Sequence, residues 1–210
     1  MEEARIKRIE DTVSNRQLDL TVVLENVHDP HNISAVLRTC DSVGIREIFV
    51  LYSDSTPVEK LELGKKSSAG ARKWVDIHFY QDTKACFEHI KSKYEKIYST
   101  HLSKDASSVY DLELTQSVAL LFGNEHEGCS EEALSYSDGN FIIPQYGMVR
   151  SLNISVACAI SLYEAHRQRL LKNKYSIGKE AWTEGHHKLN KVYLERSLLR
   201  IDPEFSEKIK

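Results

Sequence analysis

Three observations place this 210-residue chain in the α/β class, with a parallel sheet flanked by helices on both faces. Short, β-branched apolar runs alternate with stretches of helical periodicity from residue 20 to residue 171, the pattern of parallel strands joined by helical crossovers. The first of them, Leu20-Thr-Val-Val-Leu24, is a short, β-branched apolar run of the kind that a strand buried on both faces shows. The composition, 41% hydrophobic against 28% charged, supplies a sizeable core and does not suit a disordered chain.

The elements follow in order. Residues 3–17 alternate charges with Ile6, Ile9 and Val13, a helical spacing with one modest apolar stripe. Residues 20–24 read as a buried strand. The polar loop 25–32, with Pro30, leads into a helix over 33–43, which Asn32 or Ser34 can cap and Gly44 ends in the position that glycine favours. A strand at 47–52 precedes a polar loop over 53–66. Then come a strand at 74–79, a helix at 82–94 and a strand at 96–100. A strand at 117–122 opens into Gly123; a short helix at 131–136 and a strand at 140–143, stopped by Pro144, follow. Residues 152–171 form one long helix, apolar on most faces. The polar stretch 172–185 reads as a flexible connection to a terminal helix at 188–200. The chain thus divides into an N-terminal helical extension (1–17), a core (18–171) and a C-terminal basic helical extension (172–210).

Several function classes lack their marks. No G-x-G-x-x-G, P-loop or G-x-S-x-G motif is present. Cys40, Cys86, Cys129 and Cys158 are far apart and read as buried free thiols, and the nine histidines do not cluster, so no metal is expected. No apolar run approaches the roughly 18 residues that span a membrane, and a charged start suggests a cytoplasmic protein. Net charge is −3, which does not by itself suggest a nucleic-acid partner. The distribution says more, since residues 166–210 carry eleven Lys/Arg against six Asp/Glu. A second basic cluster holds Lys60, Lys65, Lys66, Arg72 and Lys73. Such patches fit a polyanion bound at defined places, and equally an ordinary solvated surface.

Ligands of parallel sheets bind beyond the carboxyl ends of the strands. Three segments there carry polar residues. In Asn32-Ile-Ser-Ala-Val-Leu-Arg38, Ser34 and Arg38 share a helix face, and an arginine fork there suits a phosphate or carboxylate. The segment fits a capped helix with a surface arginine as well. In Gly123-Asn-Glu-His-Glu-Gly128, a glycine directly after a buried strand lets a ligand approach the backbone, although a plain turn with solvated acids has the same look. In Ile143-Pro-Gln-Tyr-Gly-Met-Val-Arg-Ser-Leu-Asn153, Ser151 and Asn153 sit near the start of the long helix and form a hydrogen-bonding rim. An N-cap explains either residue, but not the apolar loop Tyr146-Gly-Met-Val149, which is costly to expose.

In this order and spacing the three segments resemble the three motifs of the SpoU–TrmH RNA 2′-O-methyltransferases, a branch of the SPOUT class. The similarity runs through most of residues 18–170. It implies a SPOUT-type fold with a deep trefoil knot in the C-terminal part of the core, a homodimer with each active site near the interface, and S-adenosylmethionine as cofactor. The opening strand and the two flanking extensions are most similar to the branch that methylates guanosine 18 in the D-loop of tRNA. Relatives that act on ribosomal RNA or on the tRNA wobble ribose are the alternative, and a non-catalytic RNA-binding knot or a flavodoxin-like small-molecule domain are readings from other classes. Carried over by motif, Arg38, Asn32, Glu125, Ser151 and Asn153 are the catalytic set. Thr100, His101, Leu102, Gly123, Ile143, Met148, Ser151 and Leu152 would hold the cofactor. Because a guanidinium has a pKa above about 12, Arg38 reads as a phosphate clamp and oxyanion stabiliser rather than a free base. For docking of tRNA the candidates are Arg5, Lys7, Arg8 and Arg16, then Lys65, Lys66, Arg72 and Lys73, then Arg167, Arg169, Lys172 and Lys174.

Overall fold

The computed structural model describes residues 3–54, 70–103 and 105–198. The elements run α1 (Glu3–Val13), β1 (Leu20–Glu25), α2 (Pro30–Ser42), β2 (Glu47–Leu51), β3 (Asp76–Tyr80), α3 (Thr83–Lys91), β4 (Lys96–Thr100), β5 (Ser107–Ser108), β6 (Val118–Phe122), α4 (Glu131–Leu134), β7 (Gly139–Ile142), α5 (Ile154–Leu171) and α6 (Glu184–Leu198). The described strands form one sheet in the order β3-β2-β1-β6-β4-β7-β5, every pairing parallel. Late-sequence β6 inserts between β1 and β4, so the carboxyl ends of β1, β6, β4 and β7 lie side by side.

Every residue of β1, β2 and β6 is buried, which explains their unbroken apolar runs. On one face Val22 and Leu24 pack with Val36 and Leu37 of α2 and Leu162 of α5. On the other, Val23, Phe49 and Leu121 pack with Phe87 and Ile90 of α3 and Ala133 of α4. Each such side chain contributes about 2 kcal/mol of burial. The expected parallel sheet with helices on both faces is present. The four cysteines are free and buried, as expected.

Details of the elements differ from the sequence reading. Helix α2 begins at Pro30, in the first turn where a missing N–H costs nothing, and Asp29 caps it by accepting from His31 N at 2.8 Å. Asn32 and Ser34 therefore lie inside the helix. Gly44 does end it, at φ +83, with Ile45 N reaching back to Cys40 O at 2.8 Å. The two-residue edge strand β5, Ser107–Ser108, had no apolar signal to announce it.

The stretch after α5 is not a loose connection. Lys174 Nζ pairs with Asp19 at 2.8 Å, the Tyr175 hydroxyl donates to Val43 O at 2.8 Å, and Trp182 Nε1 donates to Ser14 Oγ at 3.0 Å. It brings α6 against α1, where Ile9, Val13, Leu189 and Tyr193 form a third apolar cluster. Arg169, read as an RNA contact, is fully buried instead. Its guanidinium donates to Leu114 O, Gln17 Oε1, Asp19 and Gln116 O, pinning α5 to the amino ends of β1 and β6. Burial raises the Asp19 carboxyl, but Arg169 and Lys174 outweigh that and hold it below its ordinary value. Arg16 is likewise withdrawn from solvent, with its side chain 1% exposed, paired with Asp41 at 2.5 Å and bonded to Ile45 O at 2.9 Å.

Candidate active site

Strand β1 ends in a tight turn. Asn26 takes φ +53, a conformation that asparagine tolerates, and its carbonyl accepts from Asn124 Nδ2 at 2.8 Å. Asn124 opens the loop after β6. That loop closes on itself through Asn124 N to Gly128 O and Gly128 N to Asn124 O, both 2.9 Å, with Asn124 Oδ1 accepting from His126 N at 2.8 Å. Gly123 has a reason beyond the one read in sequence. A Cβ there would stand 2.2 Å from Cys129 N and 2.3 Å from Gly128 O. The close approach is made by the chain's own returning backbone.

The closed loop presents Glu125. Its Oε1 accepts from Asn32 Nδ2 at 2.8 Å and from Asn153 Nδ2 at 3.2 Å, and Asn153 Nδ2 also reaches Asn32 Oδ1 at 3.0 Å. One residue from each of the three segments thus meets in a single triangle. The carboxylate orients both amides. Asn153 simultaneously caps α5, its Oδ1 accepting from Ser155 N at 2.9 Å and Ser155 Oγ at 2.6 Å.

Beside the triangle lies a cleft of about 640 Å³ between the ends of β4, β6 and β7 and the start of α5. Thr100, His101, Leu102, Gly123, Ile143, Ser151 and Leu152 line it, with Glu125 at its edge. Phe122, Phe141, Ile142, Ile154 and Ala157 add apolar wall, and Asn124, Gly128, Gln145, Val149 and Arg150 complete it. Sequence reasoning did not single out Gln145 and Arg150, although both lie within the third segment. The volume and the mix of apolar wall with a few polar groups suit a nucleoside-sized ligand. Met148, expected among the cofactor contacts, does not line the cleft and is 99% exposed. Arg38 stands apart too, exposed on α2 and outside the cleft lining. The Cys129 thiol donates to Thr100 O at 3.7 Å, and burial, followed by the charge of Glu25, pushes it up to about 12, so it is no nucleophile near neutral pH. Among the described residues, no group of three or more His, Cys, Asp and Glu is placed to hold a metal ion, and no helix is long and apolar enough to cross a membrane.

The basic candidates divide. Lys7 and Arg8 are exposed on α1, and Arg5 donates to Ser197 O. Arg5 and Arg8 share a cleft of about 680 Å³ with Trp74 and Tyr193 between α1 and α6. Arg72 and Lys73 are half-buried in a 3-10 turn before β3, where Arg196 holds Lys73 O at 3.2 Å. Arg167 is exposed but paired with Glu164 at 2.8 Å, and Lys172 is exposed just after α5. Lys65 and Lys66 lie outside the described residues.

The description SpoU rRNA Methylase family matches residues 19–163. A tRNA (guanosine(18)-2′-O)-methyltransferase of Thermus thermophilus is 45% identical over 173 residues, which cover 82% of this chain and 87% of the relative. The crystal structure of the Aquifex aeolicus TrmH/SpoU tRNA modifying enzyme superposes with a TM-score of 0.81 at 34% identity, covering 94% of this chain and 98% of that one. The SpoU methyltransferase AviRb of Streptomyces viridochromogenes, solved with the cofactor AdoMet, superposes with a TM-score of 0.64 at 25% identity, covering 74% of this chain and 59% of that one.

Proposed function

The chain belongs to the SpoU rRNA methylase family, and from that membership we propose that it transfers a methyl group from S-adenosylmethionine to the ribose 2′-OH of guanosine 18 in the D-loop of tRNA. The observation that carries the reading is the Asn32–Glu125–Asn153 triangle on the rim of the 640 Å³ cleft. The substrate follows the Thermus thermophilus and Aquifex aeolicus relatives, both tRNA enzymes by name, and the cofactor follows the AdoMet complex of AviRb.

When bound, the cofactor supplies a methyl group on a sulfonium, already a good leaving group, so alignment is the main task left to the protein. The backbone around Thr100, His101, Leu102, Gly123, Ile143 and Leu152 would hold it, against Phe122 and Phe141. Asn32, Asn153 and Ser151 orient the ribose, with Glu125 locking the two amides. Arg38 clamps the substrate phosphate with its planar fork and stabilises the developing oxyanion. The 2′-OH proton leaves to phosphate or to water. Arg38→Lys keeps the charge and loses the planar fork, so turnover should fall about 10²-fold. Steady-state kinetics check this, and near-normal turnover would refute the fork.

The unit that performs this is proposed to be a homodimer carrying the family's trefoil knot, working on tRNA in the cytoplasm. Tyr146, Met148 and Val149 are 98%, 99% and 66% exposed in the single chain, and Val156, Tyr163 and Leu170 make an exposed stripe along α5, one every two turns. A second copy seated there would cover both. It would also bring its Arg38 toward a cleft that Arg38 does not line in its own chain. Incubation with labelled S-adenosylmethionine and unmodified tRNA, followed by nucleoside mapping, should place 2′-O-methylguanosine at position 18. A label on the wobble nucleotide would favour the wobble reading, and no label on the tRNA would favour the ribosomal one.

A further inference from the structure

Glu25 is the last residue of β1 and is fully buried. Its register partner on β2 is Leu51, and on the other side β6 ends in Phe122, the partner of Leu24. A carboxylate is expensive to bury in such surroundings. Among the described residues no lysine, arginine or histidine lies within ion-pair distance of it. Neutral donors satisfy it instead. Ser130 Oγ donates to Oε1 at 2.5 Å, Ser130 N donates to Oε2 at 3.0 Å, and Ser53 Oγ donates to Oε1 at 3.1 Å.

Both carboxylate oxygens thus grip Ser130. That residue caps α4 and lies directly beyond the returning end of the loop that presents Glu125. The other end of the loop is tied one residue beyond β1, where Asn26 O accepts from Asn124 Nδ2. We propose that Glu25 is a positioning residue for methyl transfer: by clamping Ser130 it fixes the loop so that Glu125 meets Asn32 and Asn153. The proposal rests on the functional reading above. A buried charge without a cation is a poor stabilising device, since an apolar side chain of similar volume fills the same space without desolvating an ion. Its use is geometric. Two donors converge from one serine, so an acceptor is needed on each oxygen. Glutamine would turn an N–H toward one of them.

The test uses the full chain as Glu25→Gln and Ser130→Thr. For Glu25→Gln, kcat at saturating cofactor and tRNA should fall about tenfold or more, with the Kd for tRNA within about twofold of wild type. Hydrogen exchange should accelerate at amides 124–130 while β1 and β6 keep their protection. Ser130→Thr retains the hydroxyl and should keep nearly wild-type kcat. A wild-type kcat in Glu25→Gln would overturn the proposal. So would exchange that accelerates equally through β1 and β6, which marks a role in stability alone. The exchange measurement needs no substrate. Loosening confined to 124–130, in a protein whose wild type methylates no tRNA, would support the clamp and count against the functional reading instead.

Discussion

Asn153 serves two neighbours with one amide. Its Oδ1 starts α5, and its Nδ2 joins Asn32 and Glu125. The two roles separate on mutation. Asn153→Ser keeps an N-cap oxygen and removes the donor, so thermal stability should hold while kcat falls about 10²-fold. Parallel melting curves and kinetics check this, and a loss of stability with normal kcat would make the residue a cap only. Asn32 was legible as a site residue only through its resemblance, because a polar residue at a helix start reads equally as a cap. The structure resolves the ambiguity by giving the cap to Asp29 and leaving Asn32 for Glu125. Arg16 went the other way. Its place in a charged segment suggested an exposed contact, but Asp41, distant in sequence, draws it inside.

The loop after β6 is where local chemistry decides function. Gly123→Ala would drive a Cβ into the Gly128–Cys129 backbone, and no side-chain rotation relieves that. The loop must open, so Glu125 leaves the triangle. Cofactor affinity and turnover should both collapse, while the sheet, with its core elsewhere, still folds. Titration calorimetry against circular dichroism measures the split, and unchanged affinity would contradict it. Much of the element layout was readable in the sequence. The strand Lys96–Thr100 has the bounds read from the sequence, and Gly44 ends α2 as expected. What was not readable depends on contacts between distant segments. β5 is two serines, paired only because β7 lies alongside. Glu25 belongs to an otherwise apolar strand, and nothing local says that Ser130 waits for it. The stretch after α5 looked loose because its partners, Asp19, Ser14 and Val43, lie more than 120 residues earlier.

At the scale of the molecule the two ends of the sheet do different work. The carboxyl ends carry the cleft and the triangle, and the amino ends carry ion clusters that fasten strands to helices. Glu47, at the start of β2, meets His78 Nε2 at 2.8 Å, Lys93 Nζ at 2.8 Å and the Tyr94 hydroxyl at 3.0 Å. Burial raises its carboxyl, but His78 and Lys93 outweigh that and hold it well below the ordinary value of 4.5. A depressed carboxylate stabilises the fold above its unfolded pKa, and the contribution is lost as pH falls toward the folded value. Glu47→Gln should therefore melt lower than wild type at pH 7, with the gap narrowing as pH drops below about 4.5. A gap that is constant with pH would remove the charge from the explanation. The central claim is that the cleft and the triangle together serve one hydroxyl. It is tested most directly with tRNA carrying 2′-deoxyguanosine at position 18, beside the all-ribose tRNA. Labelled methyl should enter the ribose tRNA and not the deoxy one. Equal incorporation into both would contradict the account.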